Sequence, residues 1–188
     1  ILENHGSNLV TSGLKKHNIV HMAKRQATTR IIAGKFRGTK LTFKPNKSLR
    51  PTESKTKETL FNWLLNDLDN KNCLDMFAGT GSLGFEALSR GAKEVIFIEK
   101  QKSLCSSIEE IAKQLEIKEK CRIINANSTS INFINLKEKF DLIFLDPPFH
   151  ENLIQRSLDI IDKNALLAKN GLVYIECEKD FDINLSKP

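Results

Sequence analysis

Long apolar runs are missing from this chain of 188 residues. None approaches the roughly 20 residues that a membrane-spanning helix needs. The N-terminus has no apolar core flanked by basic residues, which argues against a secretory signal. Four cysteines, Cys73, Cys105, Cys121 and Cys177, stand far apart with no CxxC pair, and the histidines (His5, His17, His21, His150) fall at no zinc spacing. A disulfide scaffold and a zinc module are therefore excluded, and the expectation is a cytoplasmic protein with reduced thiols, no membrane partner and no metal. Acidic residues are nearly absent from the first fifty positions, where Glu3 stands against eleven Lys and Arg; the remainder is mildly acidic, with eighteen basic and twenty-two acidic side chains. A basic arm thus precedes a body whose apolar content, 40% over the chain, suffices for an ordinary core.

Residues 1–21 show neither helical nor strand periodicity, and Met22 opens a stretch that reads as a natural start. Residues 1–28 are expected to be a disordered extension, with no Arg in the first 21 to suggest an amphipathic presequence. Two short extended runs, 30–34 and 40–43, flank Lys35-Phe36-Arg37-Gly38 and predict a β-hairpin within 29–48. Thr52 can cap a helix over 52–67, since Leu60, Phe61, Leu64, Leu65 and Leu68 share one helical face. Beyond it, apolar strands predicted at 72–77, 95–99, 122–126, 140–145 and 171–176 alternate with helices at 84–90, 103–115 and 152–161. That alternation predicts an α/β fold, Rossmann-like, with a mostly parallel sheet covered on both faces, in one domain over 49–188. Ligands of such sheets bind beyond the carboxyl ends of the strands.

Gly79-Thr80-Gly81-Ser82-Leu83-Gly84 follows the first buried strand and opens a helix. Lacking side chains, its glycines let a nucleoside ligand lie against the backbone at a helix N-terminus. Glu99, twenty residues after Gly79, stands where an acid accepts hydrogen bonds from ribose hydroxyls. The loop alone does not separate NAD from S-adenosylmethionine. Asp75 begins to do so. It resembles the acid of the class I methyltransferases that faces the methionine end of the cofactor, and it would repel the pyrophosphate of NAD. Phe77 and Thr80 complete the expected cofactor loop, and Asn127 stands where an adenine contact is common, although an Asn in a loop also serves simply as a turn residue.

Asp146-Pro147-Pro148-Phe149 follows the apolar strand FDLIFL. Two prolines directly after a core strand end the sheet and stiffen the loop. The Asp146 carboxylate and the Pro147 carbonyl are two adjacent acceptors for the hydrogens of a base's exocyclic NH2, and Phe149 offers a face for stacking. The simpler reading is a proline-terminated strand with a capping Asp. Taken with the glycine loop, the tetrad points to methyl transfer onto an amino nitrogen.

At this point the chain resembles the RsmD family, the 16S ribosomal RNA guanine-N2 methyltransferases. The resemblance is carried by Arg30-Ile31-Ile32-Ala33-Gly34-Lys35-Phe36-Arg37-Gly38, by Leu49-Arg50-Pro51-Thr52, and by Glu58-Thr59-Leu60-Phe61-Asn62-Trp63-Leu64. Residues 75–84, 86–92 and 146–149 complete it in order, so that it spans about 29–178. It implies a class I methyltransferase domain with an N-terminal RNA-binding hairpin, S-adenosylmethionine as cofactor, and a guanine of 16S RNA in a small-subunit particle as substrate, handled by a monomer. By position, Gly79, Gly81, Glu99 and Asn127 would contact the cofactor, and Asp146, Pro147, Pro148 and Phe149 the guanine. Arg50 and Thr52 would lie near the reaction, with Arg30, Lys35, Arg37 and Lys40 on phosphate. The family's sheet has seven strands, the last two an edge hairpin. Only twelve residues follow Glu176 here, which predicts a C-terminally truncated domain with an open edge. Three other readings remain open at this stage: a DNA adenine-N6 or cytosine-N4 amino-methyltransferase, an NAD-dependent oxidoreductase, and an inactive RNA-binding relic.

Overall fold

The computed structural model describes residues 27–43, 54–64, 68–133, 136, 138–148 and 153–177. Two strands, β1 (Ala27–Arg30) and β2 (Lys40–Phe43), pair antiparallel as the hairpin. Helix α1 (Ser54–Trp63) leads into β3 (Asn72–Asp75), α2 (Ser82–Ser89), β4 (Glu94–Glu99), α3 (Lys102–Gln114) and β5 (Cys121–Asn125). Then come β6 (Phe140–Leu145), α4 (Leu153–Lys163) and β7 (Leu167–Ile175). The five later strands form one sheet in the order β5-β4-β3-β6-β7, every neighbouring pair parallel. The α/β class expected from the alternation is the fold observed, and strand and helix ends fall within a few residues of the predicted ones.

Two differences have clear physical causes. Residues 31–34 were expected to extend the first hairpin strand, but β1 ends at Arg30 and starts earlier, at Ala27. The amides of Ile32 and Ala33 leave the ladder to donate to the Glu86 carboxylate, and Gly34 turns with φ +82°. In addition, β7 begins at Leu167, four residues before the predicted start, through an irregular register against Phe140 and Leu142 that polar Lys169 and Asn170 disguise in the sequence. The N-terminal extension up to residue 26, Thr52, Leu65 and the segment 178–188 lie outside the described residues. Among the described residues the sheet has five strands with β7 at one edge.

Two apolar layers cover the sheet. On one face Phe61 of α1 and Leu64 just after it, Phe85 and Leu88 of α2, and Ile108 and Ile111 of α3 meet Phe97, Leu142 and Phe144, with Ile31 and Leu41 of the hairpin joining them. On the other, Leu74, Ile96, Ile98, Ile143 and Leu145 pack with Ile161 of α4 and with Phe133 and Leu136. Each such fully buried side chain contributes roughly 1.5–3 kcal/mol. Helix α2 lies against β4 with no room to spare, since a Cβ on Gly84 would come 2.2 Å from the Phe97 ring. The third glycine of the loop is therefore a packing residue that lets α2 approach the sheet.

Candidate active site

Strand order fixes where a ligand can enter. Chain order runs outward from β3 to β4 and β5 on one side, and to β6 and β7 on the other. The switch point lies between β3 and β6, and at its carboxyl end stand Asp75, the last residue of β3, and Asp146, the first after β6. Glu99 closes β4 next door. Three acids that are far apart in sequence thus end three adjacent strands.

Asp75 is buried, 1% exposed, beneath the start of α2. Its Oδ2 accepts the Gly84 N–H at 3.3 Å, while Oδ1 makes no hydrogen bond. Burial first, then repulsion from Asp146 and more weakly from Glu99, push its carboxyl up to about 7, against the pull of the Gly84 and Phe77 amides. A buried carboxyl with an unanswered oxygen suits a cationic group, which would supply the charge that the site lacks. Gly79 (φ +53°) and Gly81 (φ +75°) turn the loop in left-handed conformations. A Cβ on Gly81 would also come 2.9 Å from the Phe85 ring. Thr80 is buried within the loop, and Phe77 is half-buried at its entrance.

Glu99, also buried, is more committed than its position in the sequence suggests. Oε2 accepts the Gly79 N–H at 2.9 Å and Oε1 the Gln101 N–H at 2.7 Å, so it ties the glycine loop to the end of β4. An ionised carboxylate has about four acceptor positions, so room remains for ribose hydroxyls. Asn127 lies past β5 at the same end of the sheet. Its Oδ1 accepts the Thr129 amide and hydroxyl, both at 3.0 Å, which gives the turn interpretation a direct basis.

Asp146 is half-buried, Pro147 buried and Pro148 exposed; Phe149, like Arg50 and Thr52, lies outside the described residues. One neighbourhood is invisible in the primary structure. Phe144 pairs with Tyr174 across β6 and β7, their rings meeting edge-on at 6.4 Å, and the Tyr174 hydroxyl donates to Glu176 Oε2 at 3.3 Å. Burial, then Glu176 and Asp146, push the phenol well above its ordinary range, so both carboxylates bear on it.

Arg30, Lys35, Arg37 and Lys40 are all exposed. Arg30 and Lys40 sit directly opposite each other in the hairpin register, an unfavourable like-charge pairing unless an anion bridges it. The loop bearing Lys35 and Arg37 is held down on α2. Glu86, fully buried, accepts Ile32 N–H at 2.7 Å, Ala33 N–H at 3.1 Å and Arg90 Nε at 2.9 Å, and pairs with buried Lys57 at 3.9 Å. Lys57 Nζ in turn donates to the Arg30 carbonyl at 2.7 Å. Burial is the main cause that lowers the Lys57 pKa, and Glu86 opposes it. Ser89 completes the clamp: its hydroxyl donates to the Ala33 carbonyl and accepts Phe36 N–H at 2.9 Å, and its carbonyl accepts Lys35 N–H at 2.7 Å. The sequence assigns no role to Lys57, and Glu86, Ser89 and Arg90 enter there only through the resemblance, because each reads as an ordinary polar residue of a helix.

A parallel sheet with a glycine loop, a buried acid beneath it and an Asp-Pro-Pro turn across the switch point defines a class I methyltransferase fold. Comparison with known proteins agrees. The family model described as Conserved hypothetical protein 95 matches residues 29–187. The chain is 44% identical over 155 residues to ribosomal RNA small subunit methyltransferase D of Haemophilus influenzae, covering 80% of this chain and 79% of the relative. Solved structures agree in shape. The methyltransferase yhhF from Escherichia coli has a TM-score of 0.73 at 36% identity, covering 84% of this chain and 86% of that one. A methylase from Haemophilus influenzae has a TM-score of 0.71 at 40% identity, covering 85% and 87%. The chain belongs to this family, the RsmD family.

Proposed function

We propose that this chain transfers a methyl group from S-adenosylmethionine to the exocyclic N2 amine of a guanine in 16S ribosomal RNA of the small subunit. The observation that carries this reading is the placement of Asp75 and Asp146-Pro147 side by side at the switch point, with Glu99 one strand away. Methyltransfer to ribosomal RNA draws on the names of the relatives, and the guanine N2 position on the family resemblance.

The residues divide the work. Asp75 would hold the amino end of the cofactor, Glu99 its ribose, and the loop of Phe77, Gly79, Thr80 and Gly81 its flank, with Asn127 on the adenine side. When bound, the cofactor supplies an electrophilic methyl group on a sulfonium. The amino lone pair of guanine is delocalised into the ring and is a weak nucleophile. Asp146 and the Pro147 carbonyl accept its two hydrogens, hold the nitrogen out of its planar preference and stabilise the positive charge that develops. As the N–C bond forms, the methyl–sulfur bond would break with its electron pair left on sulfur as a neutral thioether, and the surplus proton would leave to Asp146 or to water. Phe149 would stack on the base, with Arg50 and Thr52 close by, and most of the rate comes from positioning and preorganised charge. Arg30, Lys35, Arg37 and Lys40 grip phosphate, with a small-subunit assembly particle as partner, and the protein acts as a cytoplasmic monomer.

The test is transfer of labelled methyl to small-subunit RNA and particles lacking the modification, with nucleoside analysis and mapping of the product. N2-methylguanosine is the expected nucleoside. N6-methyladenosine or N4-methylcytosine alone would refute the proposal, as would preference for duplex DNA. Asp146→Ala should abolish transfer and leave cofactor affinity within about twofold of wild type.

A further inference from the structure

An Asp-Pro pair can hold any exocyclic amine, so it does not by itself choose among bases. The amines differ in what lies beside them on the Watson–Crick edge, the edge an enzyme reads on an extruded base. Adenine N6 adjoins N1, and cytosine N4 adjoins N3; both ring nitrogens present a lone pair. Guanine N2 adjoins N1–H, a donor. A guanine-selective site therefore needs one more acceptor next to the Asp-Pro pair.

The strand register places one there. Leu145 pairs with Ile175, and the Glu176 N–H donates to the Leu145 carbonyl at 2.8 Å, carrying the β6–β7 ladder past the last pair. Asp146 and Glu176 are the first residues beyond this last pair, each one step past the end of its strand. Both carboxylates bear on Tyr174, whose ring meets that of Phe144 edge-on. Tyr174 donates to Glu176 Oε2 and fixes that carboxylate from below. Resting on the reading above, we propose that Glu176 is the guanine-selecting residue, accepting N1–H while Asp146 and Pro147 hold the N2 amine. The same carboxylate would face the lone pair of adenine N1 or cytosine N3 and repel it. Sites built around a substrate donor reject analogues that lack it by as much as about 10⁴–10⁵-fold, so one acceptor suffices for strong discrimination.

2-Aminopurine tests this directly, because it keeps the 2-amino group but carries a lone pair at N1. Small-subunit RNA is assembled by splinted ligation with guanine or 2-aminopurine at the mapped nucleotide, and kcat/KM is measured for wild type and Glu176→Gln. Wild type should reject 2-aminopurine by about 100-fold or more. The glutamine amide can donate to that ring nitrogen, so the guanine-to-2-aminopurine ratio should fall about tenfold or more in the variant, with cofactor affinity within about twofold. General damage to the fold lowers both substrates together and leaves the ratio alone. A ratio unchanged by the substitution overturns the role of Glu176. So does a wild type that accepts 2-aminopurine within about threefold of guanine, a measurement that needs no variant. A wild type that forms only N6-methyladenosine or N4-methylcytosine overturns the guanine reading and this role with it. Formation of N2-methylguanosine with no discrimination at Glu176 overturns this role alone.

Discussion

Cofactor affinity should rise with pH, and the buried acid of β3 sets both the sign and the size. Asp75 titrates at about 7 in the free protein, because burial and then Asp146 disfavour its charge. A cofactor bringing an ammonium and a sulfonium binds the ionised form. About one-tenth of Asp75 is ionised at pH 6 and about nine-tenths at pH 8, so the dissociation constant should drop about tenfold across that interval and level off above it. Stability of the free protein should move the other way. A carboxyl whose folded pKa lies above its unfolded value of 3.8 favours the folded state below that value, and the benefit is lost as pH rises through about 7. About three units at 1.36 kcal/mol each bound the loss at about 4 kcal/mol. Titration calorimetry with S-adenosylmethionine between pH 5.5 and 8.5 checks the first statement, and denaturant unfolding without ligand checks the second. Asp75→Asn is the control: it should bind weakly with a much flatter profile and unfold with less dependence on pH. A flat wild-type profile, or an equal slope in Asp75→Asn, would refute the reasoning.

Other expectations follow from the hairpin and its clamp. Glu86→Ala leaves Lys57 and Arg90 without their carboxylate in a buried site and should cost about 3–5 kcal/mol by chemical denaturation. Ser89→Ala, which breaks only neutral hydrogen bonds, should cost about 1–3 kcal/mol. Gly34→Ala places a Cβ 1.9 Å from the Ser89 carbonyl at a φ of +82°, so the loop must lift from α2; proteolysis near Lys35 should quicken before global unfolding. Neutralising Lys35 or Arg37 should lower the log-log salt slope of RNA binding, across sequences, by roughly one unit for each phosphate that no longer meets a cation, and an unchanged slope counts against the phosphate grip.

Much of this architecture was legible in the primary structure because its signals are local. FDLIFL reads as a buried strand, and Gly79-Thr80-Gly81 between a strand and a helix marks a tight turn, which the left-handed Gly79 and Gly81 make. Loop 31–34 was misread as strand because its partner, Glu86, lies more than fifty positions away. Glu99 was seen as a ribose acceptor, yet its hold on the Gly79 and Gln101 amides appears only once β3 and β4 are paired.

The sequence alone determined the chemical vocabulary. Apolar runs separated by helices set a parallel sheet, the prolines after β6 set a rigid turn, and the missing acids near the N-terminus set a basic arm. Each depends on residues a few positions apart, where backbone sterics and solvent partition act without help. The tertiary structure decided which acids meet. Strand order brought Asp75 to Asp146, register tied the Glu176 amide to the Leu145 carbonyl at the end of β6, and the packing of α2 buried Glu86 under the hairpin. Those juxtapositions depend on long-range pairing, and the charge of a carboxyl such as Asp75 is set by the neighbours and the burial that pairing creates.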